Sequence, residues 1–317
     1  MLLSADRIVT PARVLAPGWL RVDGATVAEV GEWDPPGPVD LALPRTTVVP
    51  GFVDVHVHGG GGASFDGGSA DEAAVAVDAH LAHGTTSMVA SLVSAEQSSL
   101  VESVRRLADL VDDGLLAGIH VEGPWLSEKR AGAHDPALLV DAVPAAVDEL
   151  VGAGRGAIRM VTLAPERPGG LAAVRRLTAA GVAAAIGHTD ATYDEARAAL
   201  DAGALVGTHL FNGMRGLHHR EPGPVAALLE HPDAYVELIA DGVHVHPAAL
   251  RLAAPAKPRH TVLITDAMAA AAAADGEYQL GRMSVEVRDG VARLAGGGAI
   301  AGSTLTMARA VRYAVAE

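Results

Sequence analysis

Histidines and carboxylates recur in this sequence at the ends of short apolar runs, where together they could hold a metal ion and move a proton. His56 and His58 close the first such run, Glu122 the third, His188 and His209 the fifth and sixth, and Asp266 the last. His56 and His58 lie two apart, so on a strand they point to the same side and could clamp an ion. A lone His-x-His is a weak motif, but here it follows Pro50-Gly51-Phe52-Val53-Asp54, which strengthens it. Glu122 precedes Gly123-Pro124; alone it would be a strand-end carboxylate capping the next turn, and beside two histidines it becomes a natural ligand. His188 alone would be a hydrogen-bonded core histidine. With Glu122 and His209 it makes a set of two histidines and one carboxylate, which leaves a coordination position open for water. Asp266 is either a cap for the following turn or a general base beside a metal-activated water. His134, Asn212, Arg220 and His244 fall in loops after the third, sixth and seventh runs, and read singly are ordinary solvent-facing groups. The same holds for His218 and His219, and for His80 and His83 on a helical stretch.

The elements that must position these residues follow from periodicity. Residues 1–49 carry short strands, such as 6–10 and 19–22, with turns at Asp23-Gly24 and 35–38, and no helical period. After Pro50-Gly51 eight apolar runs of strand length fall near 52–58, 85–91, 117–122, 158–163, 182–188, 205–209, 235–241 and 261–266. Ala-rich amphipathic stretches alternate with them, among them 70–83, 96–112 and 193–202, the last with Asp190 and Thr192 as caps. Eight consecutive βα units predict a (β/α)8 TIM barrel, in which all strand C-termini meet on one catalytic face. A doubly wound open sheet seldom needs eight parallel strands in a row. The run Gly59-Gly60-Gly61-Gly62 lacks the spacing and the following helix of a nucleotide loop. Residues 276–300 alternate as a hairpin with a turn at Asp289-Gly290, and a final helix opens after Thr304. The expected domains are a small β module at 1–49 and a barrel at 50–317 with a β-hairpin insertion at about 276–300.

Composition narrows the function classes. Lys and Arg total 24 against 38 Asp and Glu, a formal charge of -14, which argues against nucleic acid or an anionic membrane as partner. A local arginine could still hold an anionic small molecule. With no cysteine, disulfides, thiolate catalysis and Cys-ligated metals are excluded, and any ion must be held by His and carboxylates. Charge at Asp6 and Arg7 interrupts any secretory signal, so a cytoplasmic location is expected. Aromatics make up 3% of the residues, so Ala, Val and Leu must fill the core.

Several segments resemble a known family. Pro50 to Gly59 is similar to the first-strand signature of the amidohydrolase superfamily. His120-Val121-Glu122-Gly123-Pro124, Gly132-Ala133-His134-Asp135-Pro136, Gly187-His188-Thr189-Asp190-Ala191, His209-Leu210-Phe211-Asn212-Gly213-Met214, Arg220-Glu221-Pro222-Gly223, Asp241-Gly242-Val243-His244 and Thr265-Asp266-Ala267-Met268 resemble, in order, the N-acetylglucosamine-6-phosphate deacetylase family. The resemblance implies hydrolysis of the acetamide of N-acetylglucosamine 6-phosphate to glucosamine 6-phosphate and acetate. It implies a divalent metal ion (Zn, Fe, Mn or Co, one or two per subunit) on Glu122, His188 and His209, with His56 and His58 serving a second ion. It makes Asp266 the general base and acid, and has His134 and His244 contact the sugar or polarise the amide. Asn212, the Gly213 backbone and Arg220 would hold the phosphate of a phosphorylated amino sugar, Arg220 reaching across a homodimer. Family members continue past the point where this chain stops, so the resemblance also implies a β-sandwich-like small domain apparently truncated at the C-terminus, with an apolar face uncovered and stability impaired. Two rivals compete. A dihydroorotase-like or amino-acid-deacetylating amidohydrolase would carry a bridging lysine near the middle strands, which 162–166 lacks. A non-catalytic sugar-phosphate binder would not need Asp266.

Overall fold

A computed structural model describes residues 1–317. The chain divides into two compact units, Met1–Gly51 and Phe52–Glu317. In the first, β1 (Leu2–Val9), β2 (Val14–Leu15), β3 (Gly18–Asp23), β4 (Thr26–Glu32) and β5 (Leu41–Val48) form one sheet. β1 pairs antiparallel with β2 and β3 and parallel with β5, and β3 pairs antiparallel with β4. Leu3, Ala5, Ile8 and Leu15 make its small core, while Val27, Val30 and Leu41 are exposed.

The second unit is built on β6 (Phe52–Val57), the short pair β7 (Gly59–Gly60) and β8 (Ala63–Ser64), β9 (Thr85–Leu92), β10 (Gly118–Glu122), β11 (Ile158–Leu163), β12 (Ala183–Ile186), β13 (Val206–Gly207), β14 (Tyr235–Ile239) and β15 (Thr261–Ile264). Leaving aside β7 and β8, eight strands run parallel in chain order from β6 to β15, one in each apolar run of the sequence. The ends of that sheet meet: Thr265 N–H donates to the Asp54 carboxylate, Asp266 N–H donates to the His56 carbonyl, and Val57 pairs with Ala267. The result is a nearly closed (β/α)8 barrel.

The intervening helices are α1 (Ala70–Leu81), α2 (Gln97–Asp112), α3 (Pro144–Ala153), α4 (Gly170–Ala179), α5 (Tyr193–Asp201), α6 (Gly223–Glu230), α7 (Pro247–Ala256) and α8 (Met307–Ala316). Their apolar stripes explain their packing. On α2, Leu100, Val101, Val104, Leu107 and Ala108 follow helical spacing and are buried. Ser69 caps α1, and Thr192 with Glu195 forms a capping box on α5. Between the last strand and the last helix, β16 (Gly276–Leu280), β17 (Met283–Arg288) and β18 (Val291–Leu294) form an antiparallel sheet, with Asp289 and Gly290 at positive φ in the tight turn. No helix is long and apolar enough to cross a membrane.

Two sequence expectations are corrected here. His83 is exposed, but His80 on α1 is not solvent-facing: it is 1% exposed, and its Nε2–H donates to the Gly59 carbonyl at 2.9 Å. The glycine run makes this possible, since a Cβ at Gly60 would stand 2.8 Å from the His80 Nε2. Asp190 does not cap α5. Its carboxylate takes Arg130, Lys129 and Arg215 instead, and three cations outbid one helix end.

Candidate active site

The C-terminal ends of the barrel strands put a cluster of buried ionisable groups around one cavity of about 240 Å³. His58, Glu122, His134, His188, His209, Asn212, Gly213, His244 and Asp266 all line it. His56 lies directly behind His58, with its Nε2 3.1 Å from that of His58. An apolar wall of Val93, Leu280 and Ile300 faces them, so the β16–β18 element contributes to the cavity as well as the barrel.

Glu122 is the centre of the cluster. Its Oε1 is 3.0 Å from His209 Nε2 and 3.2 Å from His188 Nε2. Its Oε2 is 3.3 Å from His58, 3.5 Å from His134 and 3.6 Å from His56. Asp266 Oδ1 reaches His58 at 3.3 Å and His56 at 3.4 Å. Two groups of donors thus share Glu122, and atoms within His56, His58 and Asp266, and within Glu122, His134 and His188, lie close enough to bind one ion each.

Hydrogen bonds on the far side of the His188 and His134 rings separate ligand from donor. His188 gives its Nδ1–H to the Arg130 carbonyl at 2.7 Å, which leaves the Nε2 lone pair facing the cavity. His134 Nδ1 instead accepts the Ser94 N–H at 3.3 Å, so the neutral ring carries its hydrogen on Nε2 and is a donor to whatever occupies the cavity. His209 therefore completes the group of Glu122 and His188 better than His134 does; its Nε2 is 3.0 Å from that of His188. His244 gives Nδ1–H to Asp241 at 2.7 Å.

The electrostatics of the metal-free cluster follow from burial and mutual charge. Burial works against charge on His56, but Asp266 and Glu122 outweigh it and raise the ring well above the usual imidazole value. Burial likewise opposes charge on His58, and its hydrogen bonds to the Asp266 and Glu122 carboxylates raise it to about 9. Asp266, which burial would raise, is held at about 2 by the charges of His56 and His58. Glu122 lies well below the carboxylate range despite burial, because charged His56 and the hydrogen bonds of His134, His188 and His209 favour its anion. Burial and the neighbouring His188 depress His134.

The cluster fits a divalent cation. Imidazole nitrogens stand in pairs, His188 with His209 at 3.0 Å and His56 with His58 at 3.1 Å. Lone pairs at that range repel unless a proton or a metal lies between them. Oxygen and imidazole donors with no thiolate are a set for a borderline divalent ion. No lysine or arginine lines the cavity.

Three site residues adopt left-handed backbone conformations: His188 at φ 45°, His209 at φ 28° and Asp266 at φ 49°. Such strain clusters at functional sites and persists only where the surroundings enforce it. Gly132 and Gly213 flank the His188 ring, and a Cβ at Gly213 would stand 2.9 Å from its Nδ1.

Not every residue singled out in the sequence joins the cluster. Arg220 is exposed, contacts His219 and lines a separate cleft with Thr192, Tyr193 and Arg215. The Asn212 side-chain amide is already engaged with the carbonyls of His209 and Leu210. Conversely, two buried residues inside the strands were not singled out. His120 bridges Ser91 and Thr162 with both ring nitrogens, which removes it from ligand duty. Glu237 accepts from His56 Nδ1 at 3.1 Å. Each interrupts an apolar run, and that interruption is a readable signal.

The amidohydrolase family model matches residues 47–316. The chain belongs to the amidohydrolase family. That family is metal-dependent, which agrees with the donor groups at the rim of the barrel. The chain superposes with a TM-score of 0.98 and 53% identity on a point mutant of the N-acetyl-D-glucosamine-6-phosphate deacetylase of Mycobacterium smegmatis in complex with N-acetyl-D-glucosamine-6-phosphate, covering 100% of this chain and 83% of that one. It is 40% identical over 282 residues to the N-acetylglucosamine-6-phosphate deacetylase of Vibrio furnissii, covering 88% of this chain and 69% of that protein. It is 38% identical to the N-acetylgalactosamine-6-phosphate deacetylase of Escherichia coli O157:H7, covering 99% of this chain and 83% of that protein.

Proposed function

We propose that this chain hydrolyses the acetamide of N-acetylglucosamine 6-phosphate, giving glucosamine 6-phosphate and acetate. The observation that carries the reading is the convergence of Glu122, His188, His209 and Asp266 on one cavity, in a chain 53% identical to a deacetylase bound to that sugar phosphate. Glu122, His188 and His209 would hold one divalent ion; His56 and His58, with the other oxygen of Glu122, would hold a second. Zn, Fe, Mn and Co all suit these ligands. A bound ion supplies polarisation of the amide carbonyl and acidification of water.

The chain's own groups do the rest. Asp266, ionised at neutral pH, takes a proton from the water whose oxygen adds to the carbonyl carbon. His134 presents Nε2–H to the amide oxygen as that oxygen gains charge in the tetrahedral intermediate. Asp266 then delivers its proton to the amine nitrogen as the C–N bond breaks. His244, oriented by Asp241, contacts the sugar. Asn212 and the Gly213 backbone face the phosphate end. Because no cation of this chain lines the cavity, Arg220 of a second copy would complete the phosphate site, and the working form would be a homodimer. Charge keeps a sugar phosphate from crossing apolar barriers, so the place of work would be the cytoplasm.

A second reading, the C4 epimer N-acetylgalactosamine 6-phosphate, is favoured by the 38% identical relative that matches 99% of this chain. Acetate release should be measured with protein purified without chelator, on both 6-phosphates and on unphosphorylated N-acetylglucosamine. The proposal expects the highest kcat/KM on N-acetylglucosamine 6-phosphate. Preference for the galacto epimer would shift the assignment to the second reading, and no acetate from any of the three with Zn, Fe, Mn or Co would reject both.

A further inference from the structure

Strand β14 carries an acid that the chemistry above does not use. Glu237 is 0% exposed and lies between buried Val236 and Leu238. Strand alternation sends its side chain to the face opposite theirs, where His56 and His209 lie. There its Oε2 accepts two hydrogen bonds, from His56 Nδ1–H at 3.1 Å and from the main-chain N–H of His209 at 3.1 Å, and its Oε1 has no partner. The Glu237 carbonyl also accepts the N–H of Leu210 at 2.8 Å. A carboxylate this deep with half its capacity unmet is costly to keep. Its two donors come from different ligand groups around Glu122.

The contrast with the other rings is informative. Nδ1 of His58 and Nδ1 of His209 have no partner, so nothing on their far side selects a tautomer. His56 alone among the rings in contact with Asp266 has one selected for it. His209 needs a different kind of support, because its backbone is held at φ 28°.

We infer that Glu237 is a positioning residue for both ligand groups. It makes His56 the Nδ1–H tautomer, which turns the Nε2 lone pair toward Glu122 and Asp266, and it fastens the main chain of His209 in its left-handed turn. The His56 half rests on the two-ion reading above; the His209 half needs only the ion on Glu122, His188 and His209.

Cobalt(II) is the probe. Metal-stripped wild type, Glu237→Gln and Glu237→Met are titrated with Co(II) alone, followed by calorimetry and by visible absorption of the bound ion. Gln keeps an acceptor oxygen where both N–H groups converge and puts its NH2 at the unpartnered corner; Met removes the acceptor. The expected result is that Met weakens Co(II) binding roughly 10–100-fold and alters the spectrum, while Gln restores most of both. Wild-type affinity and spectrum in the Met variant, or equal losses in Met and Gln, would overturn the inference. Imidazole ¹⁵N NMR of zinc-loaded wild type needs no variant: His56 should carry hydrogen on Nδ1 and zinc on Nε2, and hydrogen on Nε2 would overturn the inference. If wild type takes up a single ion and His56 binds none, the two-ion reading fails on its own; the Met variant's affinity for that one ion then decides the His209 half.

Discussion

The two ligand groups that meet at Glu122 are aimed by different means. His188 and His209 stand just beyond strand ends in left-handed conformations, with Gly132 and Gly213 crowded against the His188 ring. His56 and His58 lie in and just past β6, two apart and neither at positive φ, and His56 is backed by a buried carboxylate. The first group thus adds main-chain strain and absent side chains to the hydrogen bond behind the His188 ring, whereas the second relies on hydrogen bonding behind His56. Changes that disturb only one of these supports should leave the other group largely intact, whereas loss of the Glu237 carboxylate, which touches both, should not.

The largest effect is expected at Asp266, which touches the His56 and His58 group but serves chemistry at the whole site. Asp266→Asn should lower kcat roughly 10²–10⁴-fold while binding of the sugar phosphate, measured by calorimetry, stays within a few-fold. Retained turnover would remove Asp266 from the proton pathway.

Next comes pH, which reads the charge balance of the metal-free cluster. In the metal-free protein His58 is raised to about 9. A raised folded value contributes stability in full below the unfolded imidazole value near 6.5 and loses it as pH climbs through the folded one. The melting temperature of stripped protein should therefore fall between about pH 6.5 and 9, by an amount worth up to about 3 kcal/mol. Metal-loaded protein should not show this loss, since ions replace the protons. A flat profile for the stripped protein would contradict the charge balance between His56, His58, Glu122 and Asp266.

The phosphate end should be indifferent to both ligand groups. Arg220→Ala is expected to raise KM roughly 10–100-fold, the value of hydrogen bonds to a charged group, with kcat and metal content unchanged. Unchanged KM would detach Arg220 from the substrate. The smallest effect is at Gly213, which sits at φ 58° against His188. Gly213→Ala should cost about 1 kcal/mol or more in a denaturant melt and weaken the ion on His188 and His209, while leaving uptake at His56 and His58 as it was.

Much of this architecture was legible because a strand covered on both faces must be apolar except where chemistry intrudes. That rule locates all eight barrel strands and the polar residues that end them. Applied inside the runs rather than at their ends, it also singles out His120 and Glu237, each flanked by apolar neighbours. His80 was harder, since a histidine on a helix is solvent-facing unless a glycine run opposite leaves room for its ring. The partner of Asp190 was equally hidden, because Arg130 and Arg215 come from segments remote in sequence. Ring tautomers and the positive φ of His188, His209 and Asp266 have no one-residue signature; they exist only once tertiary contacts impose them. For the same reason the sequence could group Arg220 with the substrate residues but not reveal that it faces a separate cleft of its own chain.

The most direct test is a paired reading of metal content and acetate release on N-acetylglucosamine 6-phosphate, taken as the protein is purified, after chelator, and after stepwise return of a divalent ion. At least one ion per chain should be present at the outset, turnover should vanish on stripping, and it should return in proportion to ion bound, with Glu122→Gln recovering neither. Full turnover from protein holding no ion would contradict a site organised around Glu122, His188 and His209.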